Sequence, residues 1–215
     1  SASGRACWNI MRRSALLLPL PLLAAFAPAA ESPTQPVDLF RGRNLGAWEL
    51  IVEPAVDIAT VCKFNPDGTL AVTGKPSSFF ATKLSYENYR LHAEWRWPAA
   101  PGNGGILLHI ASGPKDRQWP LSHQVQTKNT AAGDLLPMAG ATFAEPLTSA
   151  PSAATPIKAR IAADSEKPVG EWNSCDIVCR GDMIEVTVNG VLQNKITKVS
   201  PACGRIGGQL EGVSY

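Results

Sequence analysis

Apolar and polar residues alternate through the last quarter of the chain, from Gly170 to Gly212. Cys175, Ile177 and Cys179 alternate with Asp176, Val178 and Arg180. After the break at Arg180-Gly181-Asp182, Ile184, Val186 and Val188 alternate with Glu185, Thr187 and Asn189. A period of two is the mark of a half-buried strand. Asn189-Gly190 supplies the two positive-φ positions of a tight hairpin turn, and the chain returns as a third strand from Val191. Three consecutive antiparallel strands in so short a stretch predict an all-β sandwich or barrel rather than a parallel α/β sheet. The same reading predicts strands at 47–53, 69–73, 78–84, 89–97, 105–111, 122–127, 174–179, 183–188, 191–196 and 204–210, without strong helical periodicity anywhere. Trp95, Leu108, Val125, Ile177, Val186 and Val188 are expected in the core.

The strand at 89–97 carries the most chemistry. Tyr89, Leu91, Ala93, Trp95 and Trp97 share one face, which leaves Arg90, His92, Glu94 and Arg96 on the other. The next strand places Ile106, Leu108 and Ile110 inward, with Leu107 and His109 on the polar side. On 122–127, Val125 faces in while Gln124 and Gln126 face out. If these strands are neighbours in one sheet, Glu94, His109, Gln124 and Gln126 share a concave surface suited to hydrogen-bonding a sugar. The Gly102-Asn103-Gly104-Gly105 turn would let a ligand approach the backbone closely, and Trp119 would give an aromatic platform. The competing readings are a solvated ladder of mixed charge around Glu94 and a loop tryptophan folded onto the core. Asn173, just before a strand, is expected to cap a turn, with Trp172 sealing the rim.

Residues 141–170 lose the strand rhythm. Ala, Pro and Ser dominate there, and a surface loop, disordered or acting as a lid, is expected. At the other end, Arg12-Arg13, an apolar run from Ala15 to Phe26 and the small residues Ala27-Pro28-Ala29-Ala30 have the order of a secretion signal, with cleavage near Ala29. The domain plan is upstream residues and signal in 1–30, a linker in 31–36 and one sandwich domain in 37–215. The location expected is periplasmic or extracellular, with no stable membrane anchor. Removing Arg5, Arg12 and Arg13 takes Lys+Arg from 20 to 17 against 18 Asp+Glu, so the domain is nearly neutral and gives no sign of a nucleic-acid partner. Cys175 and Cys179 lie about 13 Å apart along one strand, too far to pair with each other. A disulfide from Cys203 to one of them or to Cys62 remains open, as does the oligomeric state.

Several runs in order also carry a family resemblance: Asp38-Leu39-Phe40-Arg41-Gly42-Arg43-Asn44-Leu45 with Trp48, Asn65-Pro66-Asp67-Gly68-Thr69-Leu70, Gly102-Asn103-Gly104-Gly105-Ile106, Ala132-Gly133-Asp134, Glu171-Trp172-Asn173, Val188-Asn189-Gly190-Val191 and Gly204-Arg205-Ile206-Gly207. Together they resemble the 3-keto-disaccharide hydrolase domain family, whose members are also described as 3-keto-glucoside lyases and 3-keto-glucal hydratases. The resemblance implies a concanavalin-like jelly-roll sandwich acting on a carbohydrate. It also implies a further strand with a Glu-Phe-Arg-Asn-like run after residue 215, whose lack leaves a neighbouring strand unpaired. Many relatives read Ile-Glu-Val-Gln where this chain has His123-Gln124-Val125-Gln126, and an amide cannot replace a carboxylate as acid or base.

Two reactions follow from that resemblance. Hydrolysis by two carboxylates would draw on Glu94 with Asp134 or Glu171. Elimination from a 3-keto-glucoside needs one base (Glu94, His92 or His109) and an enolate stabiliser, either Arg96 or a divalent metal. The candidate catalytic residues are thus Glu94, His109 and Asp134. His92, Arg96, Asn103, Trp119, Gln124, Gln126 and Glu171 are the candidate sugar contacts, and no cofactor beyond that metal is called for. The alternative is a lectin-like module that binds sugar without cleaving it, which Gln124 favours.

Overall fold

A computed structural model of the protein describes residues 36–115 and 118–210; the signal expected in 1–30 and nearly all of the linker expected in 31–36 lie outside the described residues, as do 116–117 and 211–215. Twelve strands are described: β1 (Trp48–Ile51), β2 (Cys62–Phe64), β3 (Leu70–Val72), β4 (Ser78–Tyr86), β5 (Tyr89–Trp95), β6 (Gly104–Ser112), β7 (Leu121–Gln126), β8 (Leu135–Met138), β9 (Asn173–Arg180), β10 (Met183–Val188), β11 (Val191–Ile196) and β12 (Gly204–Leu210). The one helical element among them is the 3₁₀ turn Ile58–Thr60, capped by the Asp57 side chain. No described helix is long and apolar enough to cross a membrane.

The strands form a six-stranded antiparallel sheet, β1-β4-β12-β6-β7-β8, and a four-stranded one, β11-β10-β9-β5, with β2-β3 as a separate hairpin. The expected jelly-roll sandwich is the fold. Its core lies between the two sheets: Trp95, Leu108, Val125, Ile177, Val186 and Val188 are all at most 3% exposed. A second cluster of Val61, Cys62, Val72 and Leu210, with Leu50 and Phe80, fills the space under the β2-β3 hairpin. The hairpin at Asn189-Gly190 has positive φ at both residues, 48° and 82°, as its sequence demands.

Directly opposed residues in a sheet share a face. Two rows therefore mark the side of the six-stranded sheet that points away from its partner. One runs Ile51, Phe79, Gln209, Gly105, Gln126, and the other Glu49, Ala81, Gly207, Leu107, Gln124, Leu136. We call this the outer face.

Strand β6 departs from plain alternation. Leu107 opposes Gly207 and Ile110 opposes Arg205, so three steps along β6 match two along β12. The extra residue is a β-bulge, with His109 at φ 54°. The bulge reverses the phase: Ile110 joins Leu107, Phe79 and Ala81 on the outer face, and His109 turns in between the sheets. The sequence pattern had assigned both residues the other way round.

Two strands escape the pattern. β2 has only three residues, too few to show a period, and β8 contains Pro137. Proline is tolerated because β8 is the last strand of its sheet. The stretch after it is not a loose loop. Lys158 and Leu135 exchange backbone bonds of 2.8 and 2.9 Å, Ile161 N–H donates to Gln193 O at 2.8 Å, and Thr142 and Ser200 exchange bonds of 2.9 Å. Residues 141–170 thus form a strap over the β8 and β11 edges, supplying partners that an open edge lacks. They show no strand period because their bonds are scattered along two edges. Cys62, Cys175 and Cys179 are all free and buried, so none of them pairs with Cys203.

Candidate functional site

The topology separates residues that sequence alternation had grouped. β5 belongs to the four-stranded sheet and β6 and β7 to the six-stranded one. Glu94 therefore does not share a surface with Gln124 and Gln126; it lies on the solvent side of β5, at the end of the opposite sheet. His92 Nδ1 is 2.8 Å from Asp176 Oδ1 and its Nε2 is 3.7 Å from Glu94 Oε1, with all three side chains 57–59% exposed. The hydrogen bond to Asp176 holds the His92 pKa above its ordinary value, with the Asp176 and Glu94 charges adding to it. This is a solvated charge ladder on an edge strand, the arrangement that discourages edge-to-edge pairing. Glu94→Gln is expected to change stability by no more than about 0.5 kcal/mol and to leave sugar binding as it is, measured by thermal melting and calorimetry.

His109 is sealed from solvent at 0% exposure and His123 at 1%. Burial lowers both imidazoles to about 4, and each ring points a nitrogen at Pro201 O from 3.2 Å. A buried neutral ring facing the core is not placed to act as base on a sugar at the surface. Asp134 is likewise committed, its Oδ1 accepting from Arg160 N–H at 2.8 Å, which pins the strap to the β7–β8 turn. Glu171 is exposed in the loop before β9. Arg96 sits at the rim of the four-stranded sheet, its guanidinium 4.9 Å from the Trp172 ring. Trp172 is 38% exposed and so is not the expected rim seal. Asn103 is half-buried in the turn that enters β6.

Three of the expected contacts do come together on the outer face. Gln124 and Gln126 are 1% and 9% exposed, and Trp119 packs on the cluster of Phe79, Ala81, Leu107 and Ile110 beside them. Gln209, 4% exposed, lies in the row of Gln126 with only Gly105 between. Gln209 is an addition to the expected contacts, and alternation along 204–210 already puts it with Arg205 and Gly207. Gly105 is what lets the amides lie flat: a Cβ there would sit 2.6 Å from Gln124 Nε2. The bond pattern orients them. Gln126 Oε1 accepts from Lys128 N–H at 3.3 Å and from Gln124 Nε2 at 3.2 Å. Gln124 Oε1 is left as a buried acceptor with no hydrogen-bond partner, and such an atom calls for a donor.

The strand rows of this face carry one carboxylate, Glu49, bound to Arg205 at 2.7 Å. Four strand spacings separate it from Gln124, about 19 Å, too far for the paired carboxylates of a standard glycosidase. At the β1 end a recess of about 160 Å³ is lined by Ile51, Val52, Glu53, Ser77, Ser78, Pro114 and Gln118. It is smaller than the roughly 300–1,000 Å³ of an ordinary small-molecule site. Among the described residues no three of His, Cys, Asp and Glu gather as a metal-binding group, so the metal considered for the enolate has no such donor set there.

Asn173 proves structural. It is 1% exposed, and its Oδ1 accepts from Lys167 N–H and from Asn189 Nδ2, each at 2.8 Å. Asn189 Oδ1 in turn accepts from Ser174 N–H at 2.9 Å, tying the hairpin turn to β9 and the strap. Asn173→Ala removes the acceptor of two part-buried hydrogen bonds, Asn189 Nδ2 keeping its bond to Ser165 O, and is expected to cost about 1–2 kcal/mol by urea unfolding.

The domain is a jelly-roll sandwich, and its solved neighbours share the fold. A presumptive glycosyl hydrolase of Parabacteroides distasonis superposes with a TM-score of 0.59 at 18% identity, covering 82% of this chain and 87% of its own. The carbohydrate-binding module CBM66 of Bacillus subtilis gives 0.53 at 10% identity, covering 78% and 89%. Residues 35–214 match the 3-keto-alpha-glucoside-1,2-lyase-like domain, and the chain belongs to that family. No curated protein sequence matches the chain.

Proposed function

We propose that this domain holds a 3-keto-glucoside on the outer face of the six-stranded sheet, around Gln124, Gln126, Gln209 and Trp119, and promotes loss of its leaving group by elimination. The observation that carries the reading is the unpartnered, buried Gln124 acceptor on a face that also bears an indole. A sugar matches both, with hydroxyls as donors and C–H faces for the ring. Family membership supports the 3-keto substrate class. Elimination fits this face better than two-carboxylate hydrolysis. The 3-keto group acidifies the C2 hydrogen, so solvent water or hydroxide can take that proton, since no carboxylate of these rows lies within reach. The electron pair forms the enolate, and its collapse breaks the C1–O bond and expels the leaving sugar or alcohol, which takes a proton from solvent. Water then adds to the glucal. Gln124 serves here to hold a hydroxyl, since an amide takes no proton.

One observation favours a second reading, a binding module without turnover: an amide stands where many relatives have glutamate, with no second carboxylate near it. Calorimetry and leaving-group release with a methyl 3-keto-glucoside separate the two. Binding with release supports elimination, binding without release supports the module, and no binding removes the outer face from consideration. We further propose export from the cytoplasm, supported by Arg12-Arg13, the apolar run and the small residues after it. A mature N-terminus near Ala29 in an exported fraction would support it, and an uncut chain in the cytoplasm would refute it.

A further inference from the structure

His109 and His123 sit side by side between the sheets, one turned in by the β6 bulge and the other by the ordinary period of β7. Their ring centroids are 6.2 Å apart at 89°. Both rings hydrogen-bond the same carbonyl, Pro201 O, at 3.2 Å, through His109 Nδ1 and His123 Nε2. Their other nitrogens, His109 Nε2 and His123 Nδ1, are buried and have no hydrogen-bond partner. One carbonyl with two lone pairs serves two neutral N–H donors, and no acceptor stands ready for the added protons.

Among the described residues, aromatic rings pack against the pair. Tyr89 of β5 meets His109 edge-on at 5.8 Å, with Tyr86 of β4 behind it at 6.2 Å, and Phe143 of the strap lies 6.3 Å from His123. Burial pushes the Tyr89 hydroxyl well up and the Cys179 thiol beside it up to about 12, so neither carries charge at acid pH. Glu145 of the strap is held by Thr197 N–H and Oγ1 at 2.9 and 2.8 Å.

We propose that this histidine pair is an acid-sensitive latch: protonating the two rings releases the 199–203 loop and the 142–144 segment bonded to it, and so loosens β7, which carries Gln124 on its other face. The consequence for sugar binding rests on the function proposed above; the latch itself does not. Burial brings both imidazoles to about 4, with the His109 charge adding to the effect on His123 and the Pro201 carbonyl opposing it. A released ring takes protons near the ordinary 6.5. The closed form is therefore at full strength above pH 6.5 and weakens as pH falls towards 4. Between pH 7.5 and 5 each histidine favours opening by about 30-fold, and the pair by close to 10³-fold.

Amide hydrogen exchange on the full chain, corrected for intrinsic rates, reads this directly. Protection at Thr142, Val199 and Ser200 is expected to fall close to 10³-fold from pH 7.5 to 5, and about 30-fold in His109→Gln or His123→Gln, with Val186 still protected. Unchanged protection at the three amides, or loss at Val186 in step with them, overturns the latch. Ring titration by NMR on the unaltered protein needs no variant: both rings should stay neutral to about pH 4, and titration near 6.5 overturns the proposal. Sugar binding lost in parallel with protection supports the coupling to β7. Absence of sugar binding at every pH refutes the proposed function and leaves the exchange result to judge the latch.

Discussion

Gly207→Val is expected to unfold the protein or to leave it several kcal/mol less stable, the largest loss from any single substitution considered. Gly207 lies in β12, between β4 and β6 in the six-stranded sheet. A Cβ there would fall 2.3 Å from Phe80 O and 2.8 Å from Ile110 Cδ1. The carbonyl is backbone held in the ladder and cannot swing aside, so the strand itself must move. Overpacking of a well-filled interior costs about 1–3 kcal/mol even where side chains can adjust, and here they are not what blocks the space. Gly208→Ala is the informative partner, because its Cβ would meet the Phe80 ring at 2.5 Å, which rotation can relieve. Denaturant melts should rank Gly207→Ala as more damaging than Gly208→Ala. The reverse order would mean that β12 is not packed as described.

Gln124→Glu is expected to raise leaving-group release from a 3-keto-glucoside by about 10²–10⁴-fold, the usual worth of a placed general base. Gln124 is 1% exposed, and desolvation disfavours an ionised carboxylate, so a glutamate there would have a raised pKa and hold its proton towards neutral pH. The protonated acid can donate to Gln126 Oε1 as the amide does. The sign of the stability effect follows. A group whose folded pKa is raised above its unfolded value near 4.3 is tolerated at acid pH and loses stability as pH rises through the folded value. The melting temperature of Gln124→Glu relative to the unaltered protein should therefore be near zero difference at pH 4–5 and fall by pH 8. Unchanged release together with undiminished sugar binding would favour the binding-module reading.

What the chain disclosed and what it concealed divide along physical lines. The β9-β10-β11 meander is legible because its pairing is local, with Asn189-Gly190 and Gly181 marking the turns, and because the alternation is unbroken. The inward residues of β5, β7, β9 and β10 follow for the same reason. Which sheet β5 joins is a different question. Its partner is β9, with Leu91 opposite Ile177, and nothing in either segment's period names the other. That gap allowed Glu94 to be grouped with Gln124. The His109 face was misread because a bulge adds one residue without glycine or proline to announce it. The strap was opaque because side-chain and single backbone bonds to distant edges leave no period. The outward placement of Gln124 and Gln126 was legible from alternation alone, without knowledge of the pairing, and loop position drew attention to Trp119 beside them.

The central claim is that sugar is held on the outer face of the six-stranded sheet. The most direct test is an NMR titration of the protein with a methyl 3-keto-glucoside, following the side-chain amides of glutamine and asparagine and the indole N–H groups. The account predicts saturable shifts at Gln124, Gln126, Gln209 and Trp119, with His92 and Glu94 unmoved. Shifts confined to His92, Glu94 and their neighbours on β5 and β9, with the three glutamines still, would contradict it.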